Sequence, residues 1–168
     1  MPDNMNQTEL ITGKICADHE TLMQKVTAWK QSNQRIVFTN GVFDLIHRGH
    51  ADYLAKAREL GSALIIGVNT DASVSKLKGP HRPIQDEYSR LFILASFQFV
   101  DAVILFGEQT PYELIKLVQP DVLVKGSDYK AEDIVGYDIV KANNGSVQTI
   151  DFIPGFSTSL IEKRIKSS

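Results

Sequence analysis

A doubly wound α/β domain with a five-stranded parallel sheet is the fold this chain predicts, and three observations predict it. Apolar, β-branched runs recur along the sequence, segments of helical period separate them, and a glycine- and histidine-bearing stretch stands where the first run hands over to a helix. The runs are "RIVFTN" (35–40), "ALIIGVN" (63–69), "AVILFG" (102–107), "DVLVKG" (121–126) and "VQTIDF" (147–152). Their apolarity is continuous rather than alternating, as in strands covered on both faces of a parallel sheet.

The helical segments fit between the runs. "DHETLMQKVTAWKQ" (18–31) has Asp18 as N-cap and Leu22, Val26 and Trp29 on one face. "HADYLAKAREL" (50–60) stacks Tyr53, Ala57 and Leu60 and stops at Gly61. "DEYSRLFILASFQF" (86–99) aligns Tyr88, Leu91, Phe92 and Ala95. "TPYELIKLVQP" (110–120) offers Thr110 as N-cap, Pro111 at the first helical position and Glu113 closing a capping box. "AEDIVGYDIVKANNG" (131–145) ends at Asn144-Gly145, and "STSLIEKRIK" (157–166) places Ser159 and Glu162 at capping-box spacing. The polar start, 1–10, reads as a loose tail.

Composition narrows the function classes. At 168 residues, with 43% hydrophobic and 23% charged side chains, the chain suits a single soluble domain spanning 1–168. A formal net charge of −2 lacks the basic excess of a nucleic-acid binder. One cysteine, Cys16, allows no internal disulfide and suits a reducing compartment. No run approaches the ~20 apolar residues of a membrane helix, and the start does not read as a signal peptide. A cytoplasmic location without membrane or nucleic-acid partners is therefore expected.

In a doubly wound sheet ligands bind beyond the carboxyl ends of the strands, and the chemistry-bearing residues cluster there. "TNGVFDLIHRGH" (39–50) ends a strand at Thr39-Asn40, turns through Gly41 and reaches a helix beginning around His50. A helix N-terminus has unpaired N–H groups and a partial positive charge, which suit an anion. His47 and His50, three apart, can point at one anion from the same side, and Gly49 carries no side chain to hold a phosphate off the backbone. The alternatives are core or surface histidines, or zinc ligands, although Cys16, His19 and His81 stand outside any recognised metal spacing. "SKLKGPHRPI" (75–84) places Lys76, Lys78 and Arg82 in a loop able to fold over a polyanion, or simply to be solvated. "VKGSDY" (124–129) closes the fourth run: Gly126 permits a turn, and Asp128 can accept from ribose hydroxyls or a base amino group. "GFSTSLI" (155–161) presents Ser157 and Thr158 hydroxyls at another helix start, as a second phosphate clamp or an ordinary cap.

"HRGH" after "NGVFDLI" resembles the HxGH signature of the nucleotidyltransferase superfamily. With "LKGPHRPI" (77–84), "PDVLVKGSDY" (120–129) and "PGFSTSLIEKRI" (154–165), in that order and spacing, the chain resembles the D-glycero-β-D-manno-heptose 1-phosphate adenylyltransferase branch, from about Arg35 to Lys166. That branch makes ADP-heptose for lipopolysaccharide and is often fused to a sugar kinase; a kinase does not fit in the remaining residues, so a stand-alone form is expected. The sequence departs from the family pattern at Val42, where cysteine is frequent, at Ser127, where a second glycine is common, and at Ser159, where threonine is usual. None of these removes a charge or an imidazole.

The resemblance implies a Rossmann-like nucleotidyltransferase fold and transfer of AMP from ATP to the sugar 1-phosphate, with pyrophosphate leaving and Mg²⁺ accompanying ATP, near Asp44. It implies catalytic roles for His47, His50, Lys78 and Thr158. Nucleotide contacts are implied for Thr39, Asn40, Gly41, Phe43, Asp44, Gly49, Arg90, Gly126, Asp128 and Ser157, with Arg90 on the β- or γ-phosphate. Lys76 and Arg82 are candidates for the substrate, and Lys78 is favoured over Lys76 for the triphosphate. Two other readings stay open: a cytidylyltransferase acting on glycerol 3-phosphate or a similar alcohol phosphate, and a nucleotide-binding module without turnover. Subunit number is open as well, a homodimer included.

Overall fold

The computed structural model describes residues 6–168. Its sheet has six parallel strands, one more than the sequence predicts: β1 (Ile15–Cys16), β2 (Ile36–Gly41), β3 (Ala63–Asn69), β4 (Ala102–Phe106), β5 (Val122–Gly126) and β6 (Ser146–Ile150). The five expected runs all form strands. The sixth, β1, pairs only Ile15 with Val103 and Cys16 with Ile104, and two residues are too few to carry a periodic signal.

The helices are α1 (Gln7–Thr12), α2 (His19–Gln31), α3 (Arg48–Arg58), α4 (Asp71–Lys78), α5 (Glu87–Ser96), α6 (Tyr112–Val118), α7 (Tyr137–Ala142) and α8 (Thr158–Lys166). The expected loose tail is corrected by α1. Asn6 Oδ1 accepts from the Glu9 amide while the Glu9 carboxylate accepts from the Asn6 amide, both at 2.9 Å, a reciprocal cap that starts a helix. Residues 1–5 of that tail lie outside the described residues.

Four other local expectations change. The basic loop over 75–84 begins as the last turns of α4, capped by Thr70, whose hydroxyl accepts from the Ser73 amide. With Ser73 and Val74 its only buried residues, that helix has too thin an apolar face to read from sequence. Pro111, not Thr110, is the N-cap of α6 and gives no side-chain cap bond. The segment 131–145 is split into a 3₁₀ turn (Ala131–Asp133) and α7, because Gly136 adopts φ +92° and a Cβ there would lie 2.8 Å from Ile115. In α8 the cap is Ser157, which accepts from the Leu160 amide, so Glu162 is free of the capping box expected with Ser159.

Alternate residues of each strand feed two cores. Ile36, Phe38, Ile65, Ile104 and Leu123 face α2, α6 and α7, which contribute Leu22, Val26, Leu114, Ile115 and Val140. Val37, Leu64, Ile66, Val103 and Val124 face α3 and α5, which contribute Tyr53, Leu54, Leu91 and Leu94. Tyr88, expected on the buried face of α5, is exposed there. Burying both faces of β2 and β3 explains their unbroken apolarity.

The strand order is β1-β4-β3-β2-β5-β6. From β2 the chain moves outward through β3 to β4, then returns to place β5 on the other side of β2. The crevice above the carboxyl ends of β2 and β5 is therefore the topological switch point, where doubly wound sheets bind ligands. No described helix is long and apolar enough to cross a membrane.

Candidate active site

A cavity of about 560 Å³ opens at that switch point. Its floor is the end of β2 (Asn40, Gly41) and of β5 (Lys125, Gly126). Its walls carry Phe43 and Asp44 from the β2–α3 turn, His50 from the first turn of α3, Lys78 from the end of α4, Arg82 from the α4–α5 connection, and Thr158 from the start of α8. The amino ends of α3 and α8 thus meet on one cavity.

The histidines are built into the start of α3. His47 is its N-cap, and its Nδ1 accepts from the Gly49 amide at 3.1 Å. The His47 amide in turn donates to Nδ1 of His50 at 3.3 Å. A neutral imidazole that accepts at Nδ1 carries its proton on Nε2, so each ring keeps an Nε2–H free to donate elsewhere. The rings stack with centroids 3.9 Å apart, and Phe43 sits edge-on to His50 at 5.5 Å. Burial, with His47 and Lys78 nearby, lowers the His50 pKa to about 4, and burial lowers that of His47 as well. Both are therefore neutral donors at physiological pH. His50 is on the cavity wall; His47 is not, and reaches the site only as the ring stacked against it.

The glycines of this turn make room for rings. A Cβ on Gly49 would lie 2.9 Å from Cε1 of His47, and one on Gly41 would lie 2.9 Å from the Phe43 ring. Phe43 itself holds φ +51°, a strained conformation for a bulky side chain that is fixed by packing onto Gly41. Gly126 serves likewise, since a Cβ there would run into the Phe152 ring, and its carbonyl accepts from the Tyr129 amide at 3.3 Å, closing the turn expected of it.

Asp44 is the anchor of the α4–α5 connection. Only 6% exposed, its carboxylate accepts from the amides of Ile84 (2.8 Å) and Gln85 (2.8 Å) and pairs with Arg82 at 3.5 Å. Arg82 also pairs with Glu162 of α8, closing a bridge across the cavity; this holds the Glu162 carboxyl below its usual range and the Arg82 guanidinium above its own. Arg82 therefore reaches the cavity as a paired cation. Lys78 makes no ion pair among the described residues.

Besides His47, five sequence candidates stand away from the cavity wall. Thr39 is fully buried, its hydroxyl shared between Tyr53 Oη (2.8 Å) and the Val124 carbonyl (3.0 Å), so it ties β2 to α3 and β5. Gly49 is buried within α3, and Ser157 is occupied as a cap. Lys76 faces a separate hollow with Ser73 and Gln109. Arg90, expected on a phosphate, is 0% exposed: its guanidinium donates to the carbonyls of Gln85 and Val42 and pairs with Asp71. Its three sets of donors are used inside the protein, which corrects that expectation.

The cavity also holds residues the motifs did not single out: Tyr53, Lys125, Tyr129, Phe152 and Glu162. Lys125 had one visible signal, a charge closing an otherwise apolar strand at the sheet's ligand-binding edge.

The switch point of this doubly wound sheet thus carries HxGH at one helix start and faces a second helix start across the cavity. The chain belongs to the cytidylyltransferase-like family, whose model matches residues 38–166. It is 56% identical over 134 residues to the bifunctional protein HldE of Nitratiruptor sp., covering 80% of this chain and 28% of that protein. It is 49% identical over 154 residues to the HldE of Methylobacillus flagellatus, covering 92% of this chain and 31% of that protein. The chain thus spans under a third of the length of these curated relatives. Among solved structures it resembles the lipopolysaccharide core biosynthesis protein of Thermoplasma volcanium, with TM-score 0.58 and 30% identity over 71% of this chain and 97% of that one. Pantoate-β-alanine ligase of Francisella tularensis shares the fold, with TM-score 0.61 and 16% identity over 90% of this chain and 76% of that one.

Proposed function

We propose that this protein transfers AMP from ATP to D-glycero-β-D-manno-heptose 1-phosphate, giving ADP-heptose and pyrophosphate. One observation carries the reading: His50, Lys78 and Thr158, which come from three separate sequence motifs, converge on a single cavity at the switch point. The extended identity to HldE proteins and the likeness to a lipopolysaccharide core biosynthesis protein support this acceptor.

The chemistry needs no protein nucleophile. A phosphate oxygen of the acceptor, already deprotonated, bonds to the α-phosphorus of ATP; the bond from that phosphorus to the bridging oxygen breaks, and pyrophosphate leaves with the electron pair. The protein positions both reactants and stabilises charge on the transferring group. The Nε2–H of His50, its ring held by the stacked His47, donates to phosphate oxygens, Lys78 draws off charge on the leaving pyrophosphate, and Thr158 braces the β- or γ-phosphate. Asn40, Gly41, Phe43, Gly126 and Asp128 shape the nucleotide's bed, with Asp128 facing ribose hydroxyls.

Mg²⁺ enters as part of the ATP complex. No group of three or more His, Cys, Asp or Glu suited to a metal occurs among the described residues, and the Asp44 oxygens are taken by two amides and Arg82. The ion would be held by phosphate oxygens and water, as Mg²⁺ commonly is.

A pyrophosphate-release assay tests the reading. With heptose 1-phosphate saturating, turnover with ATP is expected to exceed turnover with CTP clearly. Equal or faster turnover with CTP would replace the assignment with the cytidylyltransferase alternative. The clamp on α8 makes a separate prediction. Thr158 lines the cavity whereas Ser157 does the capping, so Thr158→Ala is expected to raise the KM for ATP with the melting temperature unchanged. Unaltered kinetics in that variant would leave α8 with no part in triphosphate handling.

A further inference from the structure

Two phosphorylated anions must meet in this cavity, and their mutual repulsion has to be offset on both sides of the reacting phosphorus. Three cations line it: Lys78, Arg82 and Lys125. Arg82 is paired with Asp44 and Glu162. Lys78 and Lys125 make no ion pair among the described residues. The strand order separates these two. Lys78 ends the helix that follows β3, Lys125 stands on β5, and β3 and β5 flank β2, whose turn delivers His50. An in-line displacement likewise puts the attacking and leaving oxygens on opposite sides of the phosphorus.

We propose that Lys125 binds the phosphate of the attacking acceptor and so selects a phosphorylated substrate, while Lys78 attends the pyrophosphate that leaves. This rests on the adenylyltransferase reading above. Lys125 is half-buried at the cavity floor, its Nζ donates to the Asn40 carbonyl at 3.3 Å, and the Tyr129 ring lies 5.9 Å away. Burial lowers its pKa, partly countered by Asp128. An ammonium so placed, near Asp128 but in no ion pair among the described residues, gains strongly from an incoming dianion. Oδ1 of Asn40, on the same floor, is buried without a hydrogen-bond partner, an acceptor that suits a hydroxyl of the substrate next to that phosphate.

The test is a split of kinetic constants. In K125M, a neutral side chain of similar length, the KM for heptose 1-phosphate is expected to rise on the order of 10–100-fold, the usual worth of a charge-assisted hydrogen bond. The KM for ATP should stay within about threefold. K125R, which restores the charge, should recover most of the acceptor affinity. An unchanged acceptor KM in K125M, an equal rise in both KM values, or a K125R variant as impaired as K125M would each overturn the proposal. A second readout does not depend on turnover: inorganic phosphate binding, followed by ³¹P line broadening, to protein loaded with a non-hydrolysable ATP analogue. Binding that is present in the wild type and lost in K125M supports the phosphate subsite; binding that persists in K125M, or is absent from the wild type, overturns it. Wild-type protein inactive on heptose 1-phosphate but showing that Lys125-dependent binding would refute the assigned acceptor and leave the subsite standing.

Discussion

His50→Asn is expected to reduce kcat by about 10²–10³-fold while leaving the protein folded, the effect typical of losing one well-placed donor at a developing charge. The substitution is chosen from the hydrogen bonds of α3. Nδ1 of His50 accepts from the His47 amide, whereas the proposed catalytic atom is Nε2. An asparagine amide oxygen can replace the Nδ1 acceptor but cannot reach the Nε2 position, so it keeps the cap and removes the donor. His50→Gln places an amide N–H closer to the Nε2 position and should restore part of the rate. If the contact strengthens on the way to the transition state, kcat falls while ATP binding changes little. In His47→Asn the cap survives, since asparagine is a good N-cap and can accept from the Gly49 amide, so a loss of kcat there reports the ring that stacks on His50. Near-normal turnover in folded His50→Asn protein would refute the phosphate-donor role.

The same residue leaves a signature in stability. The folded-state pKa of His50 is about 4, against an ordinary 6.5, so between these values the unfolded chain takes up a proton that the folded protein refuses. Its contribution to stability is complete above about pH 6.5 and is lost as the pH falls toward 4. Denaturant titrations without nucleotide should show wild type weakening more than His50→Asn across that window. Parallel curves for the two proteins would mean that burial does not hold the imidazole neutral.

The split between what the chain showed and what it concealed follows from locality. A strand buried on both faces writes its apolarity into consecutive residues, so five strands were legible, and HxGH is a contiguous cap whose two histidines and glycine fulfil one another's geometry. Features set by distant partners were not legible. Glu162 stood at capping spacing from Ser159, yet the fold uses it to reach Arg82, 80 residues away. Lys125 joins the cavity because β5 returns to the far side of β2, a topological fact that no local pattern records. The interruption at Gly136 depended on Ile115 crowding the space where a Cβ would go. Arg90 is the instructive case, since an arginine on a helix beside the site could serve a ligand or the fold.

The structure gives Arg90 to the fold, and Arg90→Ala is expected to be the most destabilising of these substitutions. The side chain is 0% exposed; it donates to the Gln85 carbonyl at 3.1 Å and the Val42 carbonyl at 2.7 Å, and it pairs with Asp71 at 2.8 Å. Asp71 is 41% exposed, so solvent screens that attraction and water can solvate the carboxylate left behind. The main cost lies in two stranded carbonyls and the void left by a long side chain, together about 3–5 kcal/mol. For a domain of this size that lowers Tm by roughly 10 °C. Activity should fall with it, because the Val42 carbonyl fixes the turn on which Phe43 holds its strained backbone and Asp44 anchors the α4–α5 connection. Arg90→Lys keeps a charge but cannot satisfy three acceptors in a planar fork, so it should recover only part of the loss. Thermal melts and ATP titrations on the same variants separate the two roles: an unchanged Tm with a tenfold rise in the KM for ATP would return Arg90 to the nucleotide.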